Sequence, residues 1–535
     1  MYGILFISVY RMNDYHQLDK KLQQLAPYGY LLKNNLRGLE KESLRVTNQA
    51  MLSSLPHSNQ LGSPLTHPYL TTDFAESQLE FVTPVFSSNK AALQFLEQLH
   101  QWFYQQSEEL LWSASMPCCL NGEESIPIAQ YGSSNQGLFK TIYRRGLGYR
   151  YGKMMQAISG VHFNFSFADE LWIVLQNLEQ NTDELRHFKS ALYFGLIRNM
   201  QRFGWLVPYL FGASPAVDKS FLEEKRHRKL QHFDENTYFL PYATSLRLGD
   251  IGYNNRKNDK SGVKLNYDSV ETYSNGLKYA VSKNCPYYQN IGGLVDGEYR
   301  QLNTHILQIE NEYYSTIRAK QILNKDEKLY QALQRDGVAY IELRSLDVNP
   351  YNPVGVNEEQ LYFLEILMLF CLLLESPFLS AQEREEIDWN QNQTAHQGRD
   401  PSLFLRRCGE TQLLRTWASE LCNAMRGVAE CLDHLDSERI YTKTLEKQLE
   451  IVHNTEQTPS ARILADMQQH HESFTEFAHR LSKQHRQTLQ TQSTNNQQME
   501  YFNQLAQQSL ADQIRLETDP LPFEVYLQNY FNSND

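Results

Sequence analysis

The chain has 535 residues, of which 41% are hydrophobic and 21% are charged, as expected of a globular protein with a large buried core. Its formal net charge is −12, and it has no cluster of Lys and Arg with interleaved aromatic residues, which argues against a nucleic acid or an anionic membrane as partner. The seven cysteines include no C-x-x-C pair, which favours reduced thiols in the cytoplasm over a disulfide framework or structural zinc.

The first eleven residues contain an apolar run without the basic start and cleavage site of a signal peptide. We therefore expect residues 1–11 to be a dispensable extension, with Met12 as an alternative start, and residues 12–535 to form a single domain. We therefore look for a single functional site within residues 12–535.

Helical and strand periodicities alternate along the first two thirds of the chain. Helices are predicted from patterns of 3.6 residues near 13–35, 92–106 and 184–204. Strands are predicted from alternation with a period of two at 36–46, 77–85, 161–167, 305–314 and 340–350.

The last third is mainly helical in pattern, from about residue 355 onward. The apolar stretch 361–374 is too short to span a membrane and contains Glu365, so we interpret it as a buried core helix. The Gln- and Asn-rich run 484–508 fits either a polar surface helix or a partly disordered segment. Together the patterns predict an α+β protein.

The predicted strands share one feature: polar and acidic side chains, two positions apart, occupy one face of each. These sets are Glu40 and Glu42; Gln78 and Glu80; His162 and Asn164; Gln308, Glu310 and Glu312; and Glu342 and Arg344. A solvated face of a one-sided antiparallel sheet would explain such alternation.

The dominance of carboxylates on these faces favours a second interpretation, because like charges side by side repel unless a cation lies between them. Oxygen ligands with one imidazole suit Mg²⁺ or Mn²⁺, and Mg²⁺ commonly acts together with substrate phosphates. The pattern alone leaves both interpretations open.

A nucleotide site in this chain would be of an unusual kind, since neither the P-loop motif nor the dinucleotide fingerprint is present. Phosphates and carboxylates would need arginine forks instead. The candidates are Arg144, Arg145, Arg150, Arg247, Arg318 and Arg344.

The segments that carry these residues resemble those of the glutamate–cysteine ligase family of the gammaproteobacterial type. They include "RGLEKESLRV" (37–46), "AESQLEFVTP" (75–84), "VHFNFSF" (161–167), "LQIENEYY" (307–314) and "YIELRSLDVNP" (340–350). The resemblance is dense from residue 36 to about 375 and loose in the helical C-terminal part.

The resemblance implies a core like that of glutamine synthetase, in which a curved antiparallel sheet forms a funnel. It also implies a cytoplasmic ligase that uses ATP and Mg²⁺ (or Mn²⁺), has L-glutamate and L-cysteine as substrates, acts as a monomer and needs no nucleic acid or membrane. The reaction would pass through γ-glutamyl phosphate.

Carried onto this sequence, the resemblance assigns roles to individual residues. The implied metal ligands or their neighbours are Glu40, Glu42, Asp73, Glu80, His162, Glu310 and Glu342. Arg247 would hold the α-carboxylate of glutamate near Gln156 and Ile158, with Tyr143, Arg144, Tyr253 and Tyr314 completing the substrate pocket. On their strand context, Arg344 and Arg318 are expected to meet the transferring phosphoryl group.

Two alternatives remain open at this point. One is a γ-glutamyl ligase with a different amine acceptor, and the other is a metal- or amino-acid-binding protein without catalytic activity. The two differ from the main interpretation in whether, and with which amine, ADP is released.

Overall fold

The structure is a computed structural model that describes residues 13–222, 229–252, 263–434 and 436–532. The expected extension 1–11, Met12 and Tyr253 lie outside the described residues. All seven cysteines lie within them and carry free thiols.

The strands fall into one large sheet and three small ones. In chain order they are β1 (Leu36–Val46), β2 (Leu70–Thr72), β3 (Gln78–Val82), β4 (Leu110–Leu111), β5 (Val161–Ser166), β6 (Ala216–Asp218), β7 (Gln231–His232), β8 (Thr237–Phe239), β9 (Leu294–Val295), β10 (Glu298–Tyr299), β11 (Ile317–Lys320), β12 (Tyr340–Leu346), β13 (Phe404–Arg407) and β14 (Glu410–Leu413). The large sheet has the order β11-β12-β5-β1-β3-β2, and β4 pairs with the end of β1. Every pairing in it is antiparallel.

Helices surround this sheet and make up most of the C-terminal third. They are α1 (Asn13–Leu25), α2 (Asn89–Gln106), α3 (Asn135–Tyr151), α4 (Asp169–Leu178), α5 (Leu185–Phe203), α6 (Leu206–Phe211), α7 (Val270–Ser282), α8 (Pro286–Gln289), α9 (Leu329–Asp336), α10 (Glu358–Leu373), α11 (Ala381–Gln397), α12 (Leu414–Ala424), α13 (Arg426–Leu432), α14 (Ile440–His453), α15 (Pro459–His470), α16 (Phe474–Thr491), α17 (Asn496–Glu517) and α18 (Phe523–Asn532). No described helix combines the length and apolar character that a membrane crossing needs. The chain thus has the mixed α+β composition that its patterns predict.

The two faces of the large sheet differ sharply, as the alternation predicts. Leu39, Phe163, Phe165, Ile341 and Leu343 are almost fully buried and belong to the main hydrophobic core, to which α2, α5 and α10 contribute. Burial of this apolar face is the largest favourable term that holds the sheet in place. The opposite face therefore carries the polar and acidic residues.

The stretch 305–314 corrects one strand prediction: it forms turns and a short 3-10 helix, Glu310–Glu312. The Glu312 carboxylate accepts hydrogen bonds from the Gln308 backbone N–H (2.6 Å), Arg150 Nη1 (2.8 Å) and the Tyr151 hydroxyl (2.7 Å). The backbone of the segment folds around the buried carboxylate of Glu312. The alternation of polar residues here therefore does not reflect a strand.

The Gln- and Asn-rich run is helical, since it spans the end of α16 and the first part of α17. Leu489, Met499, Phe502 and Ala506 are buried and pack in the main core. These few apolar side chains are therefore enough to dock the two helices, which are separated by the non-helical residues 492–495, on the core.

Glu365 is the single charged residue of the apolar stretch 361–374, most of which lies in α10. Its Oε1 pairs with the Arg37 guanidinium (2.6 and 3.0 Å), and its Oε2 accepts a hydrogen bond from the Tyr441 hydroxyl (2.6 Å). Glu365 is 0% and Arg37 3% exposed, so this fully satisfied pair joins β1 to α10 and α14 inside the core.

We expect Glu365→Leu to lower the free energy of unfolding by about 3–5 kcal/mol, because it leaves the Arg37 charge buried without a partner. The exposed ion pair of Glu359 with Lys447 (2.7 Å) joins the same two helices, and Glu359→Gln is the matched control, with a cost of about 0–1 kcal/mol. Thermal unfolding of the two variants measures the difference. Equal melting temperatures would mean that the buried pair is not a structural link.

Candidate active site

A cavity of about 640 Å³ lies on the polar face of the large sheet. Most of the site residues predicted from the sequence line it, namely Glu40, Glu42, Asp73, Glu80, Tyr143, Arg144, Gln156, His162, Arg247, Tyr314, Arg318, Glu342 and Arg344. The strand faces therefore look into a cavity, and Glu42, His162 and Glu342 are buried, so the interpretation of a solvated sheet face does not hold for them.

Strand register brings the acidic residues of distant segments side by side. Glu42 on β1 lies directly opposite Glu80 on β3, and Glu40 on β1 lies opposite His162 on β5. Glu342 on β12 lies opposite Arg318 on β11. Antiparallel pairing thus builds one continuous polar surface from five strands.

Glu40, Glu80 and His162 form the part of this surface that best fits a cation. One ligand atom from each lies within 4.8 Å of the others. Glu40 is oriented by His162 Nδ1 (3.0 Å from Oε2) and by the Asn164 amide, which donates to Oε1 (2.8 Å). Beside them, Glu42 Oε2 accepts a hydrogen bond from the Gly160 N–H (2.8 Å).

The acidic cluster is electrostatically unfavourable by itself. Burial raises the pKa of Glu80 well above its ordinary value, and the charges of Glu40, Asp73 and Glu42 raise it further. Burial, followed by the charge of Asp73, also raises the pKa of Glu42. A divalent cation would relieve this repulsion, and carboxylates with one imidazole suit Mg²⁺ or Mn²⁺.

Glu342 links the acidic cluster to a group of cations. Its Oε1 pairs with Arg344 Nη1 (3.1 Å), and its Oε2 lies 3.5 Å from Lys320 Nζ and 3.9 Å from Arg318 Nη1. Burial raises the pKa of Glu342, but Lys320, Arg344 and Arg318 outweigh it and hold this pKa well below its ordinary value. The carboxylate is thus ionised, and three cations surround a single anion.

Arg247 is held rigidly at the edge of the cavity. Its Nη2 donates to the Arg344 carbonyl (2.8 Å), and its Nη1 lies 3.4 Å from Asp347 Oδ1. Asp347 is itself fixed by the Ala213 N–H (2.8 Å). A Cβ atom at Gly160 would lie 2.2 Å from Arg247 Nη2, so only glycine leaves room for the guanidinium.

Two further arginines are anchored mainly by backbone carbonyls, which neutralise none of their charge. Arg318 Nη2 donates to the carbonyls of Asn311 (2.9 Å) and Tyr313, and Arg144 donates to the carbonyls of Asp73 and Thr72. Both guanidinium groups therefore retain positive charge for an anionic ligand.

The other two arginine candidates have structural roles. Arg150 forms a buried ion pair with Glu312 (2.8 Å), and Arg145 pairs with the exposed Glu298 (3.1 Å). Neither contributes to the cavity lining.

Two predicted site residues lie apart from the cavity. Ile158 packs in the second hydrophobic cluster, and its carbonyl accepts a hydrogen bond from Gln78 Nε2 (3.0 Å). Glu310 is buried close to Lys328, and its pKa is raised by burial although backbone N–H groups at the start of α9 donate to it. Of the doubled tyrosine, Tyr314 lines the cavity and Tyr313 packs against the core.

Several residues that line or support the cavity were not predicted from the sequence. Lys320 lies two positions after Arg318 on β11, so a period of two could have revealed it. Asp347 lies just beyond β12, whose register shifts between Leu343 and Leu346, and no local pattern marks it. Tyr526 comes from α18, far along the chain.

An acidic cluster that fits a divalent cation, next to a row of anchored cations, is the arrangement by which enzymes stabilise a transferring phosphoryl group. The fold and the cavity thus fit one class of protein, a phosphoryl-transfer enzyme built on an antiparallel sheet.

Comparisons with known proteins identify the family within this class. The profile of the family described as glutamate–cysteine ligase matches residues 21–394. The chain is 44% identical over 515 residues to the glutamate–cysteine ligase of Pseudomonas putida, covering 96% of this chain and 98% of that one. It is 43% identical over 506 residues to that of Alcanivorax borkumensis, covering 93% and 95%. The chain belongs to the glutamate–cysteine ligase family.

Solved structures agree with this assignment. The crystal structure of glutamate–cysteine ligase from Francisella tularensis in complex with AMP has a TM-score of 0.87 at 35% identity and covers 94% of this chain and 98% of that one. A bifunctional glutathione synthetase from Pasteurella multocida has a TM-score of 0.69 at 23% identity, covering 88% of this chain and 55% of that one, and shares the fold.

We expect Glu80→Gln to weaken Mn²⁺ binding strongly, because it removes one charged ligand from the acidic cluster. In metal-free protein at neutral pH the same variant should melt at a higher temperature than the parent, because repulsion with Glu40, Asp73 and Glu42 is relieved. Calorimetric titration with Mn²⁺ and thermal unfolding check the two effects, with the exposed Glu124→Gln as control. Unchanged Mn²⁺ affinity would remove Glu80 from the metal site.

Proposed function

We propose that the protein is an ATP-dependent ligase that joins the γ-carboxylate of L-glutamate to the amino group of L-cysteine, the first step toward glutathione. The chain belongs to this family, and one observation carries the proposal. Glu342, next to the acidic cluster, lies close to the side chains of Arg318, Lys320 and Arg344. This is where a phosphoryl group can be held between a metal and guanidinium groups.

The chemistry requires activation of a poor electrophile. The γ-carboxylate oxygen attacks the γ-phosphorus of ATP, ADP leaves, and γ-glutamyl phosphate forms. The cysteine amine then attacks the γ-carbonyl carbon, loses a proton, and inorganic phosphate leaves as the C–N bond forms. Both steps develop negative charge on phosphoryl oxygens, which anchored cations stabilise without reorganisation.

Arg344 and Arg318 hold the transferring phosphoryl group in this proposal. Arg247, which lines the cavity and is fixed by Asp347 and the Arg344 carbonyl, binds the α-carboxylate of glutamate. Gln156, Tyr143, Arg144 and Tyr314, which line the cavity, complete the substrate pocket in this proposal. Tyr253 lies outside the described residues, and its place in the pocket stays a prediction. Ile158 contributes through its backbone carbonyl, which accepts a hydrogen bond from Gln78 next to the pocket.

Mg²⁺ or Mn²⁺ is proposed as the cofactor because the acidic cluster fits it. The residues that would hold it are Glu40, Glu42, Asp73, Glu80, His162 and Glu342. Bound metal would neutralise charge on the phosphates of ATP. Glu310 is not included, because its carboxylate lies at the start of α9.

The funnel shape of the sheet and the cytoplasmic location of the protein also belong to this proposal. A funnel formed by a curved sheet is supported by the position of the cavity on one face of an antiparallel sheet. A cytoplasmic location is supported by the free thiols of all seven cysteines.

The direct test is ADP release with glutamate, cysteine and Mg²⁺-ATP, each omitted in turn. We expect sustained turnover only when all are present, with γ-glutamylcysteine as product. A panel of other amines separates cysteine from a different acceptor. Absence of ADP release under every condition would favour a binding protein without catalytic activity.

We expect Arg344→Ala to lower kcat by about a hundredfold to a thousandfold at saturating Mg²⁺-ATP, since removing one preorganised donor costs about 3–4 kcal/mol. Arg344→Lys should recover only part of the loss, because it keeps the charge without the fork. Arg145→Ala, whose arginine is paired with exposed Glu298, is the control. Near-parental kcat in Arg344→Ala would exclude the phosphoryl contact.

A further inference from the structure

A second cavity of about 840 Å³ adjoins the reaction cavity. The two share Gln136, Asp326 and Tyr526 in their walls, so these residues lie at the boundary of the two cavities, which we take as the passage between them. Most of the other residues that line the second cavity have polar side chains, and they come from the start of α3, from α9 and the segment before it, and from the C-terminal segment.

Tyr526 belongs to α18, a helix that the family profile does not reach, as it ends at residue 394. None of the residues of α18 is fully buried. The helix is held instead by aromatic contacts, with Tyr530 on Phe139 (4.7 Å between ring centroids) and Phe523 on Tyr299 (5.3 Å). An element with so few buried groups can open at low cost while the core stays folded.

The side chain of Tyr526 lies where α18 meets the reaction cavity. Its ring is 6.3 Å from that of Phe139, which also lines that cavity, and it is half-buried. Burial, followed by the charge of Asp326, raises the pKa of Tyr526 to about 12, so the phenol is neutral at neutral pH.

We propose that Tyr526 is a positioning residue that closes the reaction cavity against water, and that the second cavity is the vestibule through which the polar substrates enter. The inference rests on the proposed function. Its chemical reason is the acyl phosphate: water that reached the γ-carbonyl carbon would form a C–O bond, phosphate would leave, and glutamate would be regenerated while ADP had already been released. A closed aromatic wall suppresses this futile hydrolysis until the amine attacks.

The experiment compares ADP released with γ-glutamylcysteine formed. Tyr526→Ala, and a chain ending at Pro520, should release several-fold more ADP than dipeptide and should also release ADP with glutamate in the absence of cysteine. Tyr526→Phe should stay coupled, because the ring and not the hydroxyl fills the passage. Val525→Ala is the matched control, since Val525 is on the same helix, is exposed and lines neither cavity.

The outcomes distinguish a failure of the proposed function from a failure of the proposed closure by Tyr526. If the parent protein forms no dipeptide, the proposed function fails. If the parent is coupled and both Tyr526→Ala and the shortened chain keep one ADP per dipeptide, the closure by Tyr526 is wrong while the proposed function stands. If the shortened chain does not fold, the ratio in Tyr526→Ala decides alone.

Discussion

Repulsion between carboxylates on one face of an antiparallel sheet is the constraint on which the rest of this structure depends. Glu42 and Glu80 lie directly opposite each other on β1 and β3, with Glu40 and Asp73 beside them in the same cavity. Buried like charges disfavour the metal-free state, as the raised pKa values of Glu80 and Glu42 indicate. The protein holds them there because its apolar sheet face is fixed in the core, and a bound cation would turn the same repulsion into affinity.

Buried ion pairs hold the framework around this acidic cluster in place. The buried Arg37–Glu365 pair fastens β1 to α10, and Asp347 fixes Arg247 behind the cavity. The shift of register in β12 beyond Leu343 places Arg344 so that its carbonyl anchors Arg247 while its side chain pairs with Glu342. Preorganised charges of this kind stabilise a transition state without further reorganisation.

Local patterns predicted four strands of the large sheet and its acidic face, because a period of two reports directly which residues share a strand face. Glu40, His162 and Glu342 were found in this way, and the register then brought them together. The same reasoning was wrong for 305–314, where a buried Glu312 organises a turn instead. Asp73, Tyr143, Gln156 and Tyr314 were assigned through the resemblance to the family and not through such a pattern. Asp347 and Tyr526 carry no local signal, since their positions depend on a register shift and on the docking of a distant helix.

The central claim, that the acidic sheet face is a metal site for phosphoryl transfer, is tested most directly by anomalous diffraction from crystals grown with Mn²⁺ and a non-hydrolysable ATP analogue. The account predicts a manganese peak within about 2.5 Å of carboxylate oxygens of Glu40 and Glu80 and of a His162 nitrogen, with the γ-phosphate directed toward Arg344. Manganese bound elsewhere, with these three side chains free of metal, would contradict it.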